Sequence, residues 1–472
     1  MELIGHTPDY TGSFCDKRLA HRAGLLSQIL LTGKTSSIHA VTHTEADQKG
    51  FYRFLSNENV TEQELIGELT QRCSRNVQGR HVLVIQDSSS IGLSKHASHI
   101  KPGSGVGLVG NKTGLGFLTH TSLVIDADTE TMLGFCDVQL WHRTEDKANN
   151  TTKIYKRQAI DQKESYKWIK AGKQAQQNLA TAQSITIIED REGDIYEQFC
   201  LIPDKRTDLI IRNRDNRKLA DGSKLHDCLA QAPVLGSYEI EVYGDIRKQK
   251  ISRTATVEVK CRAVTICKPA HAKTENIPAT LTVYAVEVKE TNPTAKQPIC
   301  WRLLTTRKTE TYEQAVAIIQ RYKQRWYIEQ LFRLLKKQGY QIQDSQLENG
   351  WAIRKLFVLV LNAALRVMQL YLAYGEEESQ PTTEVFNEEE IRCLEVIEDK
   401  HIIQTENTGN PFGKEKLAWA SWIIARLGGW KGNNKQRRAG PILLKNGLEK
   451  FEMMYQGWKL AQSNSLKDVS KR

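Results

Sequence analysis

The sequence lacks paired cysteines, long apolar runs and internal repeats. Its nine cysteines are scattered and never spaced as Cys-x-x-Cys, so neither a disulfide framework nor a zinc site is indicated, and a reducing cytoplasm fits best. The most apolar run, residues 356–365, contains Asn362 and is flanked by Lys355 and Arg366. A bilayer requires about 20 apolar residues, so this run predicts a buried helix and no membrane partner. No segment recurs at a period of about 20 to 50 residues, which excludes repeat architectures.

Length and charge set broad limits on what is present. At 472 residues, the chain is predicted to form roughly three or four domains of about 100 to 200 residues each. Its 66 Lys and Arg against 55 Asp and Glu give a formal net charge of +11, which favours a polyanionic partner such as nucleic acid. Charge alone does not decide the point, because many cytosolic proteins are basic.

The hydrophobic pattern divides the chain into unlike segments. Residues 1–75 are predicted to form a small helical domain. From His81 the pattern changes, because residues 82–85 form a short, wholly apolar run that is typical of a strand buried on both faces of a sheet. Residues 76–375 are therefore predicted to form an α/β domain. The predicted elements of these two domains are helices at 16–31, 45–56, 61–73 and 163–180 and strands at 82–85, 118–125, 132–140 and 184–188.

The rest of the chain shows three further patterns. Residues from about 205 to 305 alternate with the two-residue period of antiparallel strands, which predicts a β subdomain inserted in the α/β domain. Its strands are predicted at 238–243, 254–267, 281–289 and 299–305. Residues 311–337 predict one long amphipathic helix. Residues 376–399 carry ten acids and predict a linker or loop, and residues 414–463 predict a last helical segment.

Three acids stand where a metal site could form. Asp87 follows the predicted strand 82–85, and Asp190 directly follows the strand 184–188. In open α/β sheets ligands bind at the carboxyl ends of the strands, where both acids would project. The third acid, Glu329, lies on the predicted long helix. Basic residues share its face at steps of three and four, and they are Arg325, Arg333 and Lys336, with Tyr322 close by.

Such acids suit phosphodiester chemistry. Two Mg²⁺ ions about 3.5 to 4 Å apart can activate a nucleophile and stabilise the departing oxygen. Mg²⁺ prefers hard oxygen ligands, and neighbouring Arg and Lys side chains can grip phosphates. Spacing alone leaves two plainer interpretations open: an Asp after a strand is commonly a turn residue, and Arg325 with Glu329 and Arg333 could be a solvated ladder of ion pairs.

Residues 322–336 resemble a known family. They fit Y-x(2)-R-x(3)-E-x(6)-K in full, the signature of transposases of the insertion-sequence-four family. Residues 190–196 resemble the D-R-E-x-D-I-Y box around that family's second catalytic aspartate, and residues 85–90 the segment with the first. The resemblance implies a ribonuclease-H-like catalytic core between an N-terminal helical DNA-end-recognition domain and a C-terminal helical dimerisation domain, residues 376–472 with the linker.

The same resemblance implies an activity and its partners. Asp87, Asp190 and Glu329 would form a DDE triad that binds Mg²⁺, with Mn²⁺ able to substitute. The reaction would be cut-and-paste transposition through nicking, a hairpin on the transposon end and strand transfer. The expected partners are double-stranded DNA, as transposon-end inverted repeats and target DNA, and a second copy of the chain, since a homodimer would act in trans. The bacterial cytoplasm, at the nucleoid, is the expected location.

Family roles also carry over to DNA-contacting positions. Trp301 matches a tryptophan on which a flipped base stacks, although it could equally be a core residue of the β subdomain. Arg212, Arg325 and Lys336 match DNA or phosphate contacts, and Tyr322 belongs to the signature. Arg333 stands where a member of this family has lysine, which keeps the charge but alters its geometry.

Two other interpretations stay open at this point. A related two-metal nuclease would cleave branched or damaged DNA without strand transfer. An inactive DNA-binding regulator would occupy transposon ends without cutting them. The signature argues against the first and the retention of all three acids against the second.

Overall fold

We describe the chain from a computed structural model, for residues 8–33, 35–42, 44–101, 103–110, 114–144, 158–242, 253–291, 298–336, 339–376, 379–401, 409–431 and 439–469. The helices are α1 Lys17–Thr32, α2 Ile38–Val41, α3 Glu45–Ser56, α4 Glu62–Asn76, α5 Tyr166–Asn178, α6 Tyr196–Leu201, α7 Leu225–Gln231, α8 Tyr312–Lys323, α9 Trp326–Leu335, α10 Gly350–Ala373, α11 Glu388–His401, α12 Leu417–Leu427 and α13 Pro441–Val469. The strands are β1 His81–Gly92, β2 Gly107–Leu108, β3 Leu115–Asp126, β4 Met132–Trp141, β5 Ser184–Glu189, β6 Thr207–Arg212, β7 Val234–Val242, β8 Arg253–Cys267, β9 Thr280–Glu290 and β10 Cys300–Thr305.

A ten-stranded mixed sheet forms the centre of the α/β fold that the sequence predicted. Its strand order is β2-β3-β1-β5-β6-β10-β9-β8-β7, and β4 also pairs with β3. The central strands β1, β5 and β6 are parallel. Leu83 and Ile85 of β1 pack into one apolar core, and Val82 and Val84 into a second core on the other face. This burial on both faces explains the continuous apolar run of residues 82–85.

The predicted β region is antiparallel, as expected, but it continues the central sheet. β7, β8, β9 and β10 form successive antiparallel pairs, and β10 pairs with β6 through Leu303 and Arg212. A separate subdomain would have left β6 as an open sheet edge with unpaired backbone groups. The predicted strand at 238–243 begins earlier, at Val234, and its last residue, Tyr243, lies outside the described residues.

The predicted single helix at 311–337 is wrong, because two helices occupy this stretch. α8 and α9 are separated by a turn at Gln324 and Arg325, where the backbone N–H of Tyr327 donates to the carbonyl of Gln324 at 2.9 Å. Both turn residues keep nearly helical backbone angles, so the helical spacing of the side chains survives the break. The predicted end at Lys337 lies outside the described residues.

The acidic stretch 376–399 is also not only a linker. Residues 377 and 378 lie outside the described residues, but Glu388–His401 forms α11. Its acids Glu388, Glu389 and Glu390 fall in the first turn, where negative charge is favoured by the helix dipole. Cys393, Leu394 and Ile397 are buried on one side. The high number of acids in this stretch predicted a linker, although three buried apolar residues give α11 an apolar face.

A helix of 24 residues, α10, connects the regions predicted as separate domains. It contacts α1, α3 and α4 on one side and α12 and α13 on another. Among the described residues it is the one helix long and apolar enough to cross a membrane, and 94% of that apolar window is buried inside the protein. The prediction of a buried helix at 356–365 is confirmed. Phe54, Phe357 and Trp422 consequently share one continuous core.

Candidate active site

Neighbouring parallel strands bring Asp87 and Asp190 to the same level of the sheet. The last registered pair of β1 and β5 is Ile85 with Ile188, and each acid lies two residues beyond its member of that pair. Asp190 follows β5 directly, as predicted. Asp87 does not follow its strand, because β1 continues to Gly92 and pairs with β3, where Thr121 lies opposite Asp87. The sheet therefore opens beside Asp87, where β5 has ended and β1 has not.

The loop after Asp190 is tied to the end of β6. Asp190 begins a short 3₁₀ turn, and its Oδ1 accepts a hydrogen bond from the backbone N–H of Glu192 at 2.8 Å. Asp194 is buried and accepts from the side-chain amide of Asn213 at 3.1 Å and the backbone N–H of Arg214 at 2.8 Å. Arg217 pairs with the same carboxylate. Asp194 thus couples the loop of Asp190 to the segment that follows Arg212.

Arg325 lies between two of the three acids. Its Nη1 is 3.2 Å from Oδ2 of Asp87, and its Nη2 donates to Glu329, one turn along α9. The side chains of Asp87 and Arg325 are each only 16% exposed, whereas that of Glu329 is 45% exposed. The helix thus brings Glu329 to Asp87 through a shared guanidinium group.

Lys336 is a second basic residue near Asp87. It lies at the end of α9, and its Nζ donates to Oγ of Ser89 at 2.7 Å. Ser89 is two residues after Asp87 on β1, so both side chains project from the same face of the strand. Burial lowers the pKa of Lys336, and the nearby charge of Asp87 opposes that shift. Two cations therefore face one strand acid.

The surroundings of Asp87 disfavour its ionised form. Burial raises the pKa of Asp87 to about 6, the charge of Asp190 adds to the rise, Arg325 opposes it, and Glu329 contributes a smaller rise. The charges of Asp190 and Glu329 thus disfavour the ionised form of Asp87. Additional positive charge at this point would relieve the repulsion.

The donor chemistry suits a hard divalent cation, although the acids are not yet gathered around one point. Within the described ranges, no group of three His, Cys, Asp or Glu side chains is arranged to hold a metal ion. The Arg325 guanidinium instead separates Asp87 from Glu329. The carboxylate oxygens themselves are the ligands that Mg²⁺ and Mn²⁺ prefer. The arrangement can accept such an ion if Arg325 moves aside.

An aromatic pair borders this group of charges. Tyr322, in the last turn of α8, is buried and packs edge-to-face against Trp301, with ring centroids 5.6 Å apart. Trp301 lies within β10, inside the predicted strand 299–305, and is half-buried. Burial raises the pKa of Tyr322, and the charges of Arg325 and Arg212 oppose that rise. Tyr322 is thus placed to support Trp301 and offers little surface of its own.

The remaining predicted residues differ in exposure. Arg212 ends β6 and is half-buried, while Arg333 is exposed on α9. Ser89 and Asp194 were not predicted as site residues, although each lies inside a sequence segment that was recognised. The sequence could have indicated them only as polar residues two or four positions after a candidate acid. Polar residues are common at such positions, so this pattern does not identify a site residue.

Comparison with known proteins identifies two matching families. Residues 78–366 match the family described as "Transposase DDE domain", and residues 11–60 match "Transposase DNA-binding". Among solved structures, a piggyBac transposase synaptic complex with hairpin DNA is similar over 93% of this chain and 72% of that chain, with 8% sequence identity and a TM-score of 0.37. Similarity at that level supports no inference about function.

Proposed function

The chain belongs to the transposases with a DDE domain, and from this premise we propose that it performs cut-and-paste transposition with Asp87, Asp190 and Glu329 as its catalytic acids. A second, DNA-binding domain of transposases lies at residues 11–60. The observation that carries the proposal is geometric: the strand register brings Asp87 level with Asp190, and one guanidinium group, that of Arg325, pairs with both Asp87 and Glu329. Around them lie Arg325 and Lys336 of the family signature.

The three acids would hold Mg²⁺, and Mn²⁺ can replace it. A divalent ion held there would supply Lewis acidity, which would favour deprotonation of water or a 3′-hydroxyl and offset the charge on the oxygen that departs from phosphorus. Asp87 and Asp190 supply oxygens from adjacent strand positions, and Glu329 supplies one from α9. Arg325, released from Asp87, is then free to bind a phosphate of the same DNA strand, which is the contact that a planar guanidinium makes best.

The basic and aromatic side chains would bind the transposon end. Lys336 and Arg333 lie on the α9 side and Arg212 on the β6 side, so DNA phosphates would be gripped from two directions. Trp301 would stack on a base ejected when the DNA bends into a hairpin, which recovers about 1 to 3 kcal/mol of lost stacking. Tyr322 holds the Trp301 ring through their edge-to-face contact.

Finer features of the proposal follow from the signature. They are membership of the insertion-sequence-four family near the Tn-five transposase, a ribonuclease-H-like core, end recognition by residues 1–75, and a homodimer formed through residues 376–472. In such a dimer each protomer would bind one end and cut the other. No cut would then occur before both ends are paired.

A nicking assay with candidate terminal inverted repeats tests the proposal. Wild-type protein with Mg²⁺ is expected to nick these ends and join them to target DNA, while Asp190→Asn binds the ends in a gel shift but does not nick them. Glu348→Gln serves as the control, because Glu348 is an exposed acid that lies 3.9 Å from the exposed Lys101. Cleavage of branched DNA without strand transfer would identify a related nuclease, and binding without any nicking by the wild type an inactive regulator.

A further inference from the structure

The hairpin between β3 and β4 has an unusual residue at its tip. Glu130 has a φ of 57°, in the left-handed region that residues other than glycine seldom adopt. Its side chain is exposed, so burial does not account for this conformation. The turn holds this conformation through its own backbone bonds, Glu130 N–H to the Asp126 carbonyl at 3.0 Å and Asp126 N–H to the Thr131 carbonyl at 2.8 Å. A glutamate thus stands where glycine would be unstrained.

The Glu130 carboxylate contacts both sides of the turn that carries Arg325. Its Oε1 accepts from Nε2 of Gln324 at 3.2 Å, and its Oε2 accepts from the hydroxyl of Tyr327 at 3.1 Å. Gln324 and Tyr327 lie one residue before and two residues after Arg325. One carboxylate therefore spans the junction between α8 and α9.

The hairpin itself is fixed at its base. Asp126 accepts from Nη1 of Arg80 at 2.8 Å and from the backbone N–H groups of Asp128 at 2.9 Å and Thr129 at 3.0 Å. Thr131 donates to Oε1 of Gln380 at 3.3 Å. The tip is thus anchored to the central sheet and to the segment that leads into the C-terminal helices, and it can act as a rigid support.

We propose that Glu130 is a positioning residue of the reaction: it holds the turn between α8 and α9 so that Arg325 and Glu329 face Asp87. At the junction the backbone bonds join residues three apart, Arg325 N–H to the Tyr322 carbonyl at 3.0 Å and Tyr327 N–H to the Gln324 carbonyl at 2.9 Å. Such bonds have poorer geometry than those of a regular α-helix, so a side-chain contact that spans the turn adds to what fixes the angle between α8 and α9. The side-chain hydrogen bonds of Glu130 go to Gln324 and Tyr327, and it acts on Arg325 and Glu329 through them. The inference rests on the proposed function and names a part that the family signature does not contain.

Glu130→Gly separates positioning from stability. Glycine adopts the φ of this residue without strain, so the thermal unfolding temperature is expected to stay the same or rise. The carboxylate is lost, and we expect the single-turnover nicking rate to fall by about 10- to 100-fold, the scale of a small misplacement of reacting groups. Affinity for end DNA in a gel shift should not change. Glu130→Gln should restore most of the rate, because its amide oxygen can accept from Nε2 of Gln324 and its NH2 group can donate to the hydroxyl oxygen of Tyr327.

Two further variants make the outcome decisive. Asp128→Ala removes an equally exposed acid from the same hairpin and should nick like the wild type. Tyr327→Phe removes one of the two contacts, and combining it with Glu130→Gly should add no further loss. If Glu130→Gly nicks at the wild-type rate, or if its loss adds fully to that of Tyr327→Phe, the positioning role is wrong. Nicking by the wild type in the same assay leaves the proposed function standing in that case.

Discussion

Asp87 and Asp190 are placed by adjacent strands of a sheet that is buried on both faces, whereas Glu329 is placed by a ten-residue helix that follows a turn. Backbone hydrogen bonds fix the strand acids relative to each other. The position of Glu329 depends on side-chain contacts, through Arg325 toward Asp87 and through Glu130 at the turn. We call Asp87 and Asp190 the strand half of the site, and Arg325 and Glu329 the helical half. The strand half is therefore preformed, and the helical half can adjust when a cation or DNA binds.

The largest expected effect is the loss of a strand acid. Asp87→Asn or Asp190→Asn should reduce nicking of transposon ends by about 10²- to 10³-fold or more, the scale found when a group that stabilises developing charge is removed. Gel-shift affinity for the same ends should persist. Normal nicking by either variant would show that the mutated residue is not part of the catalytic site.

A smaller effect is expected at the link between the two halves. Arg325→Lys keeps the charge but loses the planar group that reaches Asp87 and Glu329 together, so the nicking rate should fall by about 10- to 100-fold. Lys323→Arg, on the exposed side of α8, is the matched control and should leave the rate unchanged. An Arg325→Lys variant as active as the wild type would show that the halves are not joined through this guanidinium.

The aromatic pair should affect a later step. Trp301→Ala is expected to slow hairpin formation by about 5- to 100-fold, corresponding to the loss of about 1 to 3 kcal/mol of base stacking, while first-strand nicking continues. Trp301→Phe should recover part of the hairpin rate. Denaturing gels resolve nicked from hairpin products, and equal slowing of both steps would instead mark Trp301 as a core residue.

The last expected effect is on stability in the absence of metal, where no reaction step is involved. Burial raises the pKa of Asp87 to about 6 from its ordinary 3.8, so the folded protein loses stability as pH rises through this interval and Asp87 becomes charged. Above pH 6 the free energy of unfolding of Asp87→Asn, measured by urea titration, should therefore exceed that of the wild type by about 1 to 3 kcal/mol. The difference should vanish near pH 4. A difference in unfolding free energy that does not change with pH would mean that folding does not raise the pKa of Asp87.

The two halves also differ in what the sequence could reveal. The apolar runs that end near Asp87 and at Asp190 predicted strands, because burial on both faces leaves a plain signal. The break between α8 and α9 left none, since Gln324 and Arg325 keep nearly helical angles and so preserve the periodicity. Glu130 could not be found at all, because a glutamate in a hairpin turn has no sequence signature and its partners are about 194 to 197 positions away. The helix α11 was missed because its acids outnumber its buried Cys393, Leu394 and Ile397.

The most direct test is the crystal structure of the protein with a transposon end and Mn²⁺, using anomalous scattering to locate the metal. We expect manganese to be bound by oxygens of Asp87, Asp190 and Glu329 at roughly 2.0 to 2.2 Å, a hard-cation ligand distance, and Arg325 to have moved from Asp87 to a DNA phosphate. Manganese bound elsewhere, with Arg325 still between Asp87 and Glu329 in the DNA complex, would contradict it.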